Sequence, residues 1–244
     1  MVVKNVAGLD TGKLMIGSFG TLAAIVSVNF KLVPLPEAER SFLLPFDNAA
    51  AAIAARDSIL KSALQPSAID LLNPPAGATL GRAAWLLAIR AGGPPAAVDR
   101  VERELANYSD GAAFEDDHQA ALWRHIEEFT PRFLALHRDG AVVRCSCTLK
   151  EVEAVMQSLG GPALSRAGSG ICYGYFEQFD AAKDWVNEAA RRGRKAVIEF
   201  APEDRRPETL LWPAPAGDFE IMQRIKRLFD PERLLNRGRL YHRI

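Results

Sequence analysis

The chain is poor in the residues that carry chemistry by themselves. It has three cysteines, Cys145, Cys147 and Cys172, and four histidines in 244 residues. Three thiols cannot all pair, and a thiol-state protein inside the cell is the expectation. Cys145-x-Cys147 has no second Cys or His pair at zinc spacing, so it reads as packing on one strand face. His118 and His125 share no acidic ligand pattern, which argues against a metal centre. The motifs Gly-x-Ser-x-Gly, G-x-G-x-x-G and G-x-x-x-x-G-K-[ST] are absent. That removes the sequence grounds for a nucleophile elbow, a Rossmann fingerprint and a P-loop. No apolar run reaches the ~18 residues of a membrane span, and Lys4 and Asn5 follow Met1 where a secretory signal would be greasy. Net charge is missing too, because 30 Lys plus Arg cancel 30 Asp plus Glu. Neither nucleic acid nor an anionic membrane surface is expected as a partner. The basic run Arg191-Arg192-Gly193-Arg194-Lys195 falls at a helix end, where cations meet the helix dipole, and reads as solvated surface.

What the chain does have begins near its start. A Gly17-Ser18-x-Gly20-Thr21 turn follows Lys4, Asn5, Gly8 and Lys13. After the turn, Val26, Val28, Phe30 and Leu32 alternate with Ser27, Asn29 and Lys31, the period-two pattern of a strand with one buried face. Glycines beside a hydroxyl let backbone approach a ligand and let successive N–H groups hold an anion, although a tight turn with a purely structural role is the plainer reading.

From Pro34 onward the pattern is α/β. Ser41 to Phe46 is a short apolar segment, and Asp47 is placed to cap a helix from Asn48 to Ser62. Strands are expected at Ala68 to Leu72 and Ala83 to Ile89, with a turn through Asn73 to Gly77 between them. Gly92-Gly93-Pro94-Pro95 opens a helix through Leu105, a short strand fits Ala112 to Phe114, and Asp117 to Phe129 reads as helical. The order then recurs. Gly140 to Cys145 is a strand, Thr148 and Glu151 form a capping box for a helix to Leu159, and Pro162 to Arg166 and Ile171 to Phe176 are strands. Asp180 caps a further helix, and Ala196 to Phe200 closes the set. Strand, helix, strand, strand, helix, strand is the ferredoxin-like order. The expected fold class is therefore α+β, with duplicated ferredoxin-like halves forming an antiparallel sheet and helices mainly on one side. A Pro-rich loop, 201 to 217, and a last helix, Phe219 to Phe229, complete the chain.

Two distant segments carry a family resemblance. Val3-Lys4-Asn5-Val6-Ala7-Gly8-Leu9-Asp10, with Lys13-Leu14, Gly17 to Leu22 and Ile25, resembles the end of the FAD-binding domain in FAD-linked oxidases of the vanillyl-alcohol oxidase and para-cresol methylhydroxylase type, glycolate oxidase subunits among them. Phe229-Asp230-Pro231 through Asn236-Arg237-Gly238-Arg239 resembles the closing segment of that family, which returns toward the flavin. Leu9 stands where tyrosine is usual, Ala23 where glycine is usual, and Arg237 where proline is usual. The resemblance implies three regions: a remnant of the FAD-binding domain (1–36), a cap or substrate domain (37–217), and a C-terminal helix with a flavin-directed tail (218–244). It implies flavin contacts from Lys4, Asn5, Gly8, Lys13, Gly17, Ser18, Gly20, Thr21, Ile25 and Asn236, and it leaves the catalytic base unassigned.

The implied activity is oxidation of a 2-hydroxy acid such as glycolate to the 2-oxo acid, with FAD as cofactor. The implied partners are a second flavoprotein subunit and an iron–sulfur subunit, and the implied location is the cytoplasm or the inner-membrane periphery. The upstream half of the family's FAD cradle has no counterpart in these residues, so the 244-residue chain is expected to bind FAD weakly or not at all. A catalytically inactive cap serving as a scaffold is the alternative. The orphaned strand after the turn is expected to fold back on the C-terminal domain, to disorder or to pair with a second copy; pairing, which gives a homodimer, is favoured because it covers both the apolar face and the backbone.

Overall fold

The computed structural model describes residues 11–206, 211–212, 215, 217–241 and 244. In chain order the elements are α1 (Thr11–Met15), β1 (Ala38–Phe46), α2 (Ala49–Lys61), β2 (Ala68–Leu72), α3 (Pro74–Ala78), β3 (Trp85–Gly93), α4 (Pro95–Leu105) and β4 (Ala112–Phe114). They continue with α5 (Asp116–Glu127), α6 (Phe129–Leu136), β5 (Ala141–Ser146), α7 (Val152–Ser158), β6 (Ala163–Arg166), β7 (Ile171–Phe176), α8 (Phe179–Arg191), β8 (Lys195–Phe200) and α9 (Phe219–Phe229). The chain divides into two compact units, one made of residues 1–33 and 210–244 and the other of residues 34–209.

The larger unit is a mixed α+β fold built on one eight-stranded antiparallel sheet, in the order β4-β1-β3-β2-β6-β7-β5-β8. β2 and β6 join its two sides, pairing Asp70 with Arg166 and Leu72 with Leu164. Neighbouring residues of β1 show how helices are distributed, since consecutive side chains on a strand point to opposite faces. Arg40 pairs with Asp99 and Glu102 of α4, whereas Ser41 hydrogen-bonds Gln119 and Trp123 of α5. Helices therefore cover both faces. On the α5 side a core of Leu72, Leu86, Trp123, Ile126, Phe133 and Tyr175 excludes water, with the Phe129 and Tyr175 rings 4.7 Å apart. The apolar stripe of α5 and α6 places Leu122, Ile126, Phe129 and Phe133 at helical spacing, and each is buried.

Local signals account for most element ends. The Thr148 and Glu151 capping box forms as its spacing predicts. The cap of α2 is Asn48, not Asp47: its Oδ1 accepts the Ala51 N–H at 2.9 Å. Asp180 is not the cap of α8. That helix starts one residue earlier, at Phe179, whose N–H donates to Asp139 at 3.3 Å, and Asp180 instead accepts from Arg205 at 2.6 Å. The expected turn at residues 73–77 winds into α3, because Asn73 accepts the Ala76 N–H at 3.2 Å while Pro74 and Pro75 occupy helix positions that need no N–H. Arg56 of α2 is fully buried yet satisfied, donating to Asp57 and to the carbonyls of Ala167 and Leu149.

The smaller unit corrects one expectation. Residues 23–36 carry no strand, and Val26, Val28, Phe30 and Leu32 are exposed at 96%, 57%, 81% and 86%. Period-two alternation makes a strand only when a neighbouring strand takes up its N–H and C=O groups, and no described strand pairs with this segment.

Candidate functional site

The smaller unit is organised around the glycine turn. Gly17 and Gly20 adopt φ of 82° and 69°, the left-handed region open to glycine, with Phe19 between them at 54°. Within the turn, Thr21 N–H and its Oγ1 both donate to the Ser18 carbonyl, at 3.0 and 2.7 Å. Thr21 and Ser18 are buried. A Cβ added at Gly17 would meet nothing within 4 Å, so the backbone there faces open space.

The C-terminal segment holds this turn. Asn236 Nδ2 donates to the Phe19 carbonyl at 2.5 Å, and Lys226 Nζ on α9 donates to the Thr21 carbonyl at 2.7 Å. Lys226 also donates to Asp230 at 2.5 Å and to the Leu235 carbonyl at 2.8 Å. Asp230 in turn accepts the N–H groups of Leu234 and Leu235, each at 2.9 Å. The hydrogen bond from Lys226 holds the Asp230 carboxyl down at about 2. Gly20 is fitted to the clamp, since a Cβ there would lie 3.0 Å from Asn236 Nδ2. Beside the turn is an apolar cavity of about 190 Å³ lined by Leu14, Gly17, Leu22, Met222, Ile225 and Leu240.

Gly17, Ser18, Gly20, Thr21 and Asn236 thus come together, although their segments lie at opposite ends of the chain. Lys13 sits in α1 beside them in sequence, and Ile25 is exposed in the segment without regular structure. Lys4, Asn5 and Gly8 lie outside the described residues. Lys226 and Asp230 carry no sign in the sequence beyond an i,i+4 Lys-to-Asp spacing at a helix end, the spacing of countless exposed pairs.

The residues present suit one edge of a flavin cradle. They offer open glycine backbone, a side-chain amide fixed by its bond to Phe19, and an apolar wall. Lys226 is committed to three internal acceptors, so it serves the turn and not a phosphate.

The larger unit has its own groove on the α5 face, about 360 Å³, in which Glu127, Arg166, Tyr173 and Glu199 stand beside apolar Ile126, Leu164 and Phe200. Arg166 is paired with buried Asp70, and Arg144 lies 3.8 Å from Glu199. Burial outweighs the pairing with Arg166 and pushes the Asp70 carboxyl up to about 6. Tyr175 donates to or accepts from Thr130 at 2.9 Å, and burial pushes its phenol up to about 12. Among the described residues no cluster of three or more His, Cys, Asp or Glu side chains is placed to hold a metal ion.

Residues 208–240 match the family described as FAD linked oxidases, C-terminal domain. The chain is 27% identical over 240 residues, 98% of its length, to glycolate oxidase subunit GlcE of Escherichia coli (strain K12), of which it covers 59%. It is 34% identical over 74 residues, 30% of its length, to glycolate oxidase subunit GlcD of Bacillus subtilis (strain 168), of which it covers 16%. The chain therefore spans less than two thirds of either relative. Among solved structures, alkyldihydroxyacetonephosphate synthase shares the fold over 97% of this chain and 50% of its own, with a TM-score of 0.62 at 19% identity. The 4-ethylphenol oxidase from Gulosibacter chungangensis, in its isoeugenol complex, does so over 86% and 55%, with a TM-score of 0.54 at 14% identity. These matches make the chain homologous to the glycolate oxidase subunits GlcE and GlcD, with residues 208–240 similar to the C-terminal domain of the FAD linked oxidases.

Proposed function

We propose that the chain belongs to an FAD-dependent oxidoreductase subunit that oxidises a 2-hydroxy acid such as glycolate to the 2-oxo acid. The observation that carries this reading is the bond from Asn236 to the Phe19 carbonyl, which unites across the chain the two segments that resemble flavin-facing ones. The flavin, when bound, supplies the two-electron redox step. The chain's own residues do the rest. Gly17 and Gly20 bring backbone close, Asn236 fixes the turn, and Lys226 with Asp230 keeps it rigid from behind. In this reading Lys4, Asn5, Gly8, Lys13, Ser18, Thr21 and Ile25 complete the flavin-facing set, residues 1–36 and 218–244 belong to the flavin side, and residues 37–217 form the cap. The groove beside Arg166 and Tyr173 is the part of the cap suited to a substrate carboxylate.

The strand orders β4-β1-β3-β2 and β8-β5-β7-β6 support reading the sheet as two ferredoxin-like halves that meet at β2 and β6. In this reading the 244 residues alone bind FAD weakly or not at all, because the turn and its clamp supply one edge of a cradle. The partners in this reading are a second flavoprotein subunit, as the likeness to two glycolate oxidase subunits supports, an iron–sulfur subunit, and a second copy paired through residues 26–33. No described helix is long and apolar enough to cross a membrane, and the reading places the protein in the cytoplasm or at the membrane periphery through those partners. One observation favours the scaffold alternative: the groove's Arg166 already has an acidic neighbour, buried Asp70.

Turnover separates the two. The chain assayed together with its partner subunits, excess FAD, glycolate and a dye acceptor should reduce the dye, and Asn236→Ala should lose most of that rate while Arg192→Ala keeps it. The same mixture inert toward glycolate and other 2-hydroxy acids would favour the scaffold.

A further inference from the structure

Two thiols outside both regions described above meet in the larger unit. Cys147 lies just past the end of β5 and Cys172 lies on β7, with their sulfurs 4.0 Å apart. The contact is held from several sides. The Cys147 N–H donates to the Gly170 carbonyl at 2.8 Å and its thiol approaches the same oxygen at 3.4 Å. The Cys172 thiol lies 3.4 Å from Ser165 Oγ, which donates to the Ile171 carbonyl at 3.1 Å. Gly170 has φ of 71°, and a Cβ there would collide with the Cys147 carbonyl at 2.1 Å, so this glycine is what lets the two segments close. Cys147 is half-buried, whereas Cys145 and Cys172 are buried.

We propose that Cys147 and Cys172 are a peroxide-responsive dithiol that closes to an intramolecular disulfide. The half-buried thiol meets the oxidant, and the buried one resolves it. Cys147 sulfur attacks hydrogen peroxide, an S–O bond forms as the O–O bond breaks, and the departing hydroxide takes a proton and leaves as water. Cys172 sulfur then attacks Cys147 sulfur. The S–S bond forms, the S–O bond breaks, and the second oxygen leaves as water with the Cys172 proton. Two thiols and one peroxide give one disulfide and two waters, the thiols losing the two electrons that the peroxide gains. Closing the gap requires the sulfurs to approach from 4.0 Å to the ~2.05 Å of a disulfide.

The roles follow from surroundings. A hydrogen bond from Cys172 favours the Cys147 thiolate, aided by the positive field of Arg194 and Arg56 against the opposing effects of burial and Glu151. Burial pushes the Cys145 thiol up to about 11, and the hydrogen bond to Cys147 raises the Cys172 thiol as well, so what selects Cys172 as the resolving thiol is its sulfur lying 4.0 Å from that of Cys147. The closed bond would tie the start of the α7 segment, where Thr148 and Glu151 form their capping box, to the centre of the sheet.

The test is a thiol map of the full 244-residue chain after treatment with hydrogen peroxide, alkylation under denaturing conditions and non-reducing peptide digestion. The expected result is one linked peptide joining Cys147 to Cys172, loss of two alkylatable thiols out of three, and restoration by dithiothreitol. Cys145→Ala should form the same link. In Cys172→Ser, Cys147 should be trapped as a sulfenic acid by dimedone, because its resolving partner is gone. The wild-type map is decisive even if a variant folds poorly. A Cys145–Cys172 link, oxidation of Cys147 to sulfinic acid with Cys172 still free, or three unreacted thiols under conditions that oxidise a cysteine peptide would each overturn the proposal.

Discussion

Lys226 and Asp230 are buried together at the end of α9, 2.5 Å apart, and the same ammonium reaches the Thr21 carbonyl at 2.7 Å. One side chain thus fixes the closing segment and the glycine turn at once. Replacing it leaves an acid and two carbonyls without their donor in a dry site, which costs far more than losing an exposed ion pair.

Lys226→Met should therefore release the turn. Hydrogen exchange is expected to accelerate at the amides of residues 17–22 and 234–236 while amides of β3 and β7 keep their rates. The pair also sets a pH dependence. Asp230 is held at about 2 against ~3.9 for a free Asp. Its stabilisation is present above the higher value and disappears as pH falls through the lower one. Protection of the turn should fade between about pH 4 and pH 2, and Lys226→Met should remove most of that slope.

Gly20→Ala combines two penalties, a side chain at φ of 69° and a Cβ 3.0 Å from Asn236 Nδ2. The left-handed backbone alone costs about 1–2 kcal/mol for a residue with a Cβ. Gly17→Ala at φ of 82° has open space around it and should cost less. Denaturant titration monitored at Trp212, whose ring lies 5.3 Å from that of Phe19, ranks the two. Equal midpoints would show that the Asn236 contact adds nothing.

Asp70 gives the larger unit an opposite pH slope. Its carboxyl, pushed up to about 6 by burial, stays protonated in the folded chain over a range in which the unfolded chain has already ionised it. The folded state then binds more protons, so stability is greatest below about pH 4 and declines as pH rises through about 6. Urea midpoints measured across that window should fall in the wild type, and Asp70→Asn should flatten the decline. A slope unchanged by that substitution would remove Asp70 as its source.

The segment 26–33 offers a test of assembly. Val26, Phe30 and Leu32 are exposed, and full burial of such side chains is worth roughly 1.5–3 kcal/mol each. With unpaired backbone beside them, they are suited to strand pairing with a second copy. Solution mass should report a dimer for the 244-residue chain and a monomer for a version starting at Glu37. A monomer in both, with fast exchange at residues 24–33, would leave the segment without that role.

Most elements of the larger unit were legible because capping boxes, Pro and Gly punctuation and period-two runs are local signals. Thr148 with Glu151, and Pro95 at the start of α4, act within a few residues. The errors came where a distant group decided the outcome. Asp139, some 40 positions away, receives the first amide of α8 in place of Asp180. The alternation from Val26 to Leu32 describes a strand that needs a neighbour, and periodicity cannot supply one. In the site, the glycines of the turn were visible from their spacing. The role of Lys226 was not, because its acceptor at Thr21 is 205 positions away and leaves no trace in local pattern.

We propose that the turn from Gly17 to Thr21 and Asn236 form one edge of a flavin site. The most direct test is an amide-resonance map of the 244-residue chain titrated with FAD. Progressive shifts at Gly17, Ser18, Gly20, Thr21 and the Asn236 side-chain amide, without saturation at micromolar FAD, are predicted. Shifts confined to residues of the sheet would contradict it.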